Sequence, residues 1–324
     1  MNKQEWKNFK LHNTKHIYKT ACESWVDSMF ETPVMDFFAK FKKGKKWINN
    51  YFALRFLIKK KPIIPIIEYM VTTKCTMNCK NCNSFMPYFS NESHAKPDSF
   101  EVFKSDIDKL LNSVDYIYAF GFVGGEPLID NKLAEKMEYV LGKKQIKNVF
   151  LATNCTILPT KKLLKVMKNK KFKAQISNYS HVKNIKNGVT VKHDEFKDLL
   201  LRNNILLSDP HGDDGVFQSM PKLYKDIQNP DKVKLMHDNC WGLFSNMLCE
   251  GEITPCTLSV YINRNLELSD GIKEEIVNIR TAKNSKDLTN KIIKYYARPY
   301  SQFCHYCHND DIQYGFRCGE QLET

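Results

Sequence analysis

Three cysteines lie close enough along the chain to share one inorganic cluster. Cys75-Thr76-Met77-Asn78-Cys79-Lys80-Asn81-Cys82 puts three residues, then two, between successive thiols. Cysteine thiolates are the usual holders of iron–sulfur clusters. Three ligands leave a cubane one short, and catalytic metal sites keep an open position for substrate. The alternatives are a zinc loop or three buried thiols. Zinc loops normally come as two separated C-x2-4-C pairs, which a single triplet does not supply.

Two further groups of residues fall at the ends of apolar runs. Gly124-Gly125-Glu126-Pro127 follows Tyr116–Val123. Its glycines let the backbone approach a ligand closely, and its carboxylate can receive a cationic amino group. Thr153-Asn154-Cys155 and Ile176-Ser177-Asn178-Tyr179 end two later runs. Each of these segments alone reads as a turn. In this order behind a C-x3-C-x2-C triplet, they resemble the signature of the radical S-adenosylmethionine (radical SAM) enzymes.

The resemblance implies a 4Fe–4S cluster on Cys75, Cys79 and Cys82, with S-adenosylmethionine chelating the open iron. It implies one-electron cleavage to a 5′-deoxyadenosyl radical that abstracts a substrate hydrogen. Gly124, Gly125, Glu126 and Pro127 match the segment that binds the cofactor's methionine amino group. Asn154 sits in the counterpart of a T-N-G segment, and Ser177 where a polar residue meets the cofactor. Lys80 departs from the commoner aromatic residue after the second cysteine. Contact there is made through the backbone, so the departure bears little on cofactor use.

A second constellation lies near the C-terminus. Ten residues separate Cys240 from Gly251, four separate Gly251 from Cys256, and Cys304-His305-Tyr306-Cys307 adds a close pair. The spacing resembles the start of the SPASM and twitch modules, and two plus two thiolates can fully ligate an auxiliary 4Fe–4S cluster. After Cys307 only Cys318 remains, which fits the single-cluster twitch type. Zinc is the alternative for these four thiols. Cys22, Cys155, Cys249 and Cys318 are left over; a free cysteine is by default a small buried apolar residue. Cys249 lies between two presumed ligands, where a thiol could return a hydrogen atom to a substrate radical. His305 and His308 flank Cys307 as outer partners. The polar loop His211-Gly212-Asp213-Asp214-Gly215 reads as a surface turn, with substrate contact the alternative.

Composition bounds the rest. The chain has 324 residues with 42% hydrophobic and 26% charged, ordinary for a soluble globular protein. Eleven cysteines without a signal-peptide core or a spanning apolar run point to a reducing, cytoplasmic setting and to metal ligation. The net charge is +13, and residues 1–61 hold fourteen Lys/Arg against five Asp/Glu. That segment could meet anionic lipid, nucleic acid or phosphorylated substrates, or simply be a solvated face. No nucleic-acid motif accompanies the charge. Peripheral membrane contact through these residues and packing on the neighbouring domain both stay open.

The elements that must position these residues alternate strand and helix from about residue 62. Strands are expected at Ile63–Thr72, Tyr116–Val123, Asn148–Thr153 and Lys173–Ser177, with weaker ones at Val189–Lys192 and Ile205–Ser208. Helices are expected from Asp98, with Asp98 and Glu101 as a capping box, over Lys132–Leu141, after Pro159 and over Asp194–Asn203. Before them, Pro33–Lys43 and Trp47–Ile58 show helical spacing. The alternation predicts an α/β parallel sheet with outer helices. The family resemblance implies a partial (β/α)6 TIM-type barrel over residues 62–235. Residues 1–61 form a helical extension and 236–324 a small iron–sulfur module.

Within the family, compact chains with Cys82-Asn83-Ser84-Phe85-Met86-Pro87-Tyr88-Phe89 after the first cysteines resemble carbohydrate-modifying members. The resemblance implies a sugar, nucleotide-sugar or glycan substrate. The reaction would be epimerisation, dehydration or alcohol oxidation, with a flavodoxin- or ferredoxin-type reductant. Two alternatives remain: a maturase of a peptide or protein, and a non-catalytic iron–sulfur electron carrier or sensor.

Overall fold

The structure is a computed structural model that describes residues 1–15, 42–183, 185, 188–209, 216–217, 222–223, 229–240, 245–308 and 316–322. The first strand, β1 (Ile64–Met70), is apolar on both parities, as a central parallel strand covered on both faces must be. The chain then winds through α3 (Phe100–Ser113), β2 (Ile117–Val123), α4 (Leu133–Leu141), β3 (Ile146–Thr153), α5 (Lys161–Met167), β4 (Phe172–Ile176), α6 (His193–Arg202) and β5 (Leu207–Ser208). Strands β1 to β5 pair in sequence order, all parallel. This is the expected α/β sheet of the partial-barrel type, with helices outside.

The sixth parallel strand takes a different place from simple winding. β6 (Ser245–Cys249) pairs with β1 rather than β5, then turns back into β7 (Glu252–Thr254), which pairs with β8 (Val277–Asn278). The hairpin turn holds Glu250 at φ 48 and Gly251 at φ 82. Two successive positive φ values match the twist of a two-residue hairpin. The glycine that was read as part of a cysteine spacing is therefore the corner that returns the chain to the sheet. Residues of the cysteine-rich stretch thus continue the sheet beyond β1.

The helices are amphipathic and bury one stripe each. α3 buries Phe103, Ile107, Leu110 and Leu111, each contributing about 1.5–3 kcal/mol relative to exposure. Its cap is Ser99, whose hydroxyl accepts from the Val102 amide at 3.2 Å. The expected Asp98–Glu101 capping box is not formed, because Asp98 pairs with Arg280 at 2.7 Å and accepts from the Tyr69 hydroxyl at 3.1 Å. Val189–Lys192 forms no strand. The Lys192 amide donates to the Cys155 carbonyl at 2.9 Å, so this stretch crosses the end of β3 instead.

At the N-terminus α1 (Lys3–Phe9) is capped by Asn2, and α2 (Lys42–Lys59) follows. Phe9 and Phe56 meet at 4.3 Å between ring centroids, and the Asn8 amide donates to the Ala297 carbonyl at 3.0 Å. Ala297 ends α10 (Ser285–Ala297), which follows α7 (Pro230–Asp238), α8 (Thr257–Asn265) and α9 (Asp270–Lys273). The expected helix at Pro33–Lys43 lies almost wholly outside the described residues. Cys22 and the loop at 211–215 lie entirely outside them. Among the described residues no helix is long and apolar enough to cross a membrane.

Candidate active site

The cysteine loop leaves the carboxyl end of β1 and is held at its base by the Gly124–Glu126 segment. The Gly125 amide donates to the Thr72 carbonyl at 2.8 Å and the Glu126 amide to the Lys74 carbonyl at 3.0 Å. A Cβ on Gly124 would overlap the Thr72 carbonyl oxygen, and one on Gly125 the Lys74 carbonyl oxygen. Gly124 also has φ 146, a conformation that side chains rarely adopt. The glycines were expected to let the backbone approach a ligand; in the fold they let two strand-end loops lie against each other.

Glu126 is fully buried at 0% exposure. Its carboxylate accepts from the Thr153 hydroxyl at 2.9 and 3.0 Å, the Asn154 amide at 2.9 Å and the Leu128 amide at 3.0 Å. Burial pushes the carboxyl up to about 7 against the pull of these donors. The side chain expected to receive a cationic amino group faces inward and ties the ends of β2 and β3 together. Asn154, on the next residue, carries the connection onward. Its side-chain amide donates to the Cys75 sulfur at 3.4 Å and the Thr76 hydroxyl at 3.1 Å, while its carbonyl accepts from Thr156 at 2.7 and 3.0 Å. Pro127 opens the short turn Pro127–Ile129 after the carboxylate.

Burial raises all three loop thiols, Cys79 to about 12, and each of the other two thiols raises Cys75 further. The three thiols therefore sit in one electrostatic neighbourhood on a single short loop. N–H groups point at two of them: those of Met77 and the Asn154 side chain at Cys75, and that of Gln321 at Cys79. Half-buried sulfurs that receive N–H donors suit anionic thiolate ligands of a cluster, so the donor set fits the expected group. Among the described residues no three His, Cys, Asp or Glu are gathered tightly enough for a single metal ion. Cubane thiols bind separate irons and stand wider apart than the ligands of one ion.

Cys249 comes to the same place from β6, the neighbour of β1 on the side opposite β2. The Tyr69–Leu248 pairing puts it beside Met70, and it packs in one buried cluster with Met70, Met86 and Met247, against which Cys75 and Cys82 lie. It is 5% exposed, and burial pushes its thiol up to about 12. Ser177 also lies at the strand-end level, its amide donating to the Thr153 carbonyl at 3.0 Å.

The four C-terminal thiols form a separate group. Cys240 follows α7, Cys256 caps α8, and Cys304 lies in the turn Gln302–Tyr306 that Cys307 terminates. Burial raises the Cys304 thiol well above its usual range, and Cys256, Cys240 and Cys307 raise it further while Arg298 opposes them. Cys304 thus feels all three of the other thiols expected to form a two-plus-two ligand set. Cys155 lies apart from both groups, buried behind β3 with φ 59.

Sequence reasoning did not single out three neighbours of the loop. Tyr179, two residues beyond Ser177, has its hydroxyl raised by burial and then by Cys79, Cys318, Cys82 and Cys75. Its position after a strand-end Ser-Asn was a usable signal. Cys318 and Gln321 reach the loop from the C-terminus, and no local pattern marks them.

No family model matches the chain, and no curated protein matches it. Among solved structures it is similar to BtrN in complex with AdoMet and 2-DOIA, at 17% identity over 76% of this chain and 93% of that one, TM-score 0.46. It is similar to tagged anSMEcpe with bound AdoMet at 14% identity over 72% and 82%, TM-score 0.45. Native anSMEcpe with bound AdoMet aligns at 21% identity over 46% of this chain, TM-score 0.37. The aligned part is 43% of that protein, so the chain spans under half its length. Likenesses this distant carry no argument about the site.

Proposed function

We propose that this chain is a radical SAM enzyme acting on a carbohydrate-type substrate. One observation carries the reading. Segments from the ends of β1, β2 and β3 converge, with Glu126 bonded to Asn154 and Asn154 bonded to the Cys75 sulfur. Cys75, Cys79 and Cys82 would hold a 4Fe–4S cluster. When bound, that cluster and S-adenosylmethionine supply a 5′-deoxyadenosyl radical that removes a hydrogen atom from substrate. Within this scheme Glu126 fixes the strand ends, and Asn154 orients the Cys75 sulfur. Gly124, Gly125, Glu126, Pro127, Asn154 and Ser177 would meet the cofactor. Cys249 would return a hydrogen atom to the substrate radical. Cys240, Cys256, Cys304 and Cys307 would hold the auxiliary cluster.

The sugar reading rests on the compact chain and the Cys82–Phe89 segment. Anaerobic incubation of iron-loaded protein with S-adenosylmethionine and dithionite should release 5′-deoxyadenosine. Its absence from cluster-replete protein would favour an electron carrier. Nucleotide sugars and short peptides then separate the substrate classes: deuterium transfer from a labelled sugar into 5′-deoxyadenosine is expected, and transfer from a peptide alone would overturn the sugar assignment.

We further propose that α2 rests on anionic lipid. It buries Phe52 and Phe56 while Tyr51, Leu54, Leu57 and Ile58 are exposed, Leu54 by 56% and Ile58 by 69%. Lys59, Lys60 and Lys61 follow at its end. An apolar stripe flanked by lysines is the pattern of an interfacial helix. Flotation with phosphatidylserine vesicles should be salt-sensitive and lost in Leu54→Glu/Ile58→Glu; equal flotation of both proteins would end the idea.

A further inference from the structure

The cysteine loop is closed by the other end of the chain. The Lys80 amide donates to the Glu320 carbonyl at 2.7 Å, and the Leu322 amide to the Asn78 carbonyl at 2.8 Å. Together they form an antiparallel bridge between Cys79 and Gln321. The Gln321 side chain then bonds the loop twice. Its carbonyl accepts from the Asn78 amide at 2.8 Å, and its NH2 lies 3.6 Å from the Cys79 sulfur. The same NH2 donates to the Gly319 carbonyl at 2.6 Å, which fixes the amide's orientation.

The segment is anchored on its other side as well. The His181 ring bonds the Cys318 carbonyl at 2.8 Å. Gly319 has φ 86, and a Cβ there would strike Val182 and Tyr179. Residues 318–322 are thus wedged between the cysteine loop and the turn after β4. Cys318 is 9% exposed.

We propose that residues 318–322 form a fixed wall of the cluster site, and that Gln321 is the positioning residue of the Cys79 sulfur. This deepens the radical SAM reading and, for its effect on a cluster, rests on it. One amide side chain sets both the Asn78 backbone and the Cys79 thiolate, so it fixes the direction from which that sulfur meets iron. Hydrogen bonds to cluster sulfurs stabilise the more negative, reduced form and raise the reduction potential. Gln321→Glu keeps an oxygen for the Asn78 amide, removes the N–H donor and adds negative charge.

The test uses the full iron-loaded chain and a version ending at Arg317. Electron paramagnetic resonance titration should show the midpoint potential of the triplet's cluster shifted downward in Gln321→Ala, and further in Gln321→Glu. The C-terminal cluster should keep its potential in both. In metal-free protein, the chain ending at Arg317 should show faster iodoacetamide labelling of Cys79 relative to Cys256, read by peptide mass spectrometry. Unchanged midpoints in both variants would overturn the tuning role, and unchanged labelling of Cys79 would overturn the wall. If replacing Cys75, Cys79 and Cys82 by Ala leaves the iron content unchanged, the cluster reading fails instead, and the labelling comparison still decides the wall.

Discussion

The Thr153 hydroxyl lies 2.9 and 3.0 Å from the two carboxylate oxygens of the buried Glu126. The amides of Asn154 and Leu128 donate to the same carboxylate. Glu126→Gln turns an NH2 toward at least one of those donors. A buried group left mismatched costs about 1–3 kcal/mol. Denaturant unfolding should show that loss, and Thr153→Val should show a smaller one. A Glu126→Gln protein as stable as the parent would remove the bracing role.

Glu68 gives a pH signature separate from the cysteines. Burial raises its carboxyl to about 7, and the Ser245 hydroxyl, 2.7 Å away, opposes the rise. An acid whose folded pKa is raised contributes stability that is present below its unfolded value and lost as pH climbs through the folded one. The loss should run from pH 4.5 to above 7, on the order of 3 kcal/mol at one pKa unit per 1.36 kcal/mol. Glu68→Gln should flatten that part of the stability profile. An unaltered slope would assign it to other groups.

At the base of the loop, Gly125→Ala should displace the cysteine segment, since the added Cβ would overlap the Lys74 carbonyl oxygen. Forced overpacking costs about 1–3 kcal/mol. Reconstituted protein should bind less iron at the triplet while keeping the C-terminal set filled. Full iron loading with unchanged melting would show that the loop tolerates the shift.

Iron counting separates the two thiol groups. Two cubanes require about eight irons per chain and one requires about four. Changing Cys304 and Cys307 to Ala should lower the count by about half without loss of the triplet's signal. Zinc in place of iron after anaerobic reconstitution would reassign the C-terminal thiols.

Cys249 belongs to the buried cluster against which Cys75 and Cys82 pack. Cys249→Ala should preserve 5′-deoxyadenosine formation while the turned-over product disappears. A normal product yield would end its assignment as hydrogen donor. Cys249→Ser, which keeps the size but holds its hydrogen more strongly, should behave as the Ala variant does.

Much of the sheet was legible because local pattern reports local structure. Apolar runs at Ile63–Thr72 and Tyr116–Val123 fall within two residues of β1 and β2, as buried parallel strands should. The helix expected over Lys132–Leu141 appears as Leu133–Leu141. The misses have a common cause. Asp98 matched a capping box in sequence, but Arg280 drew its carboxylate away across 182 positions. Val189–Lys192 had strand composition, but the Lys192 amide is taken by the Cys155 carbonyl across the end of β3.

Residue type and spacing alone determined which chemistry the chain can carry: three clustered thiols, a second set of four, and strand-end Gly-Gly-Glu and Thr-Asn segments. Only the tertiary structure decided how these act on one another. It showed that Gly124 and Gly125 serve contact between loops, and that Glu126 faces β3. It brought Cys249 beside Met70 by pairing β6 with β1, and Gln321 onto Cys79 across 242 positions. The physical reason is that hydrogen bonds and close packing between distant segments leave no periodicity in the chain. They exist only once the sheet has brought the strand ends together.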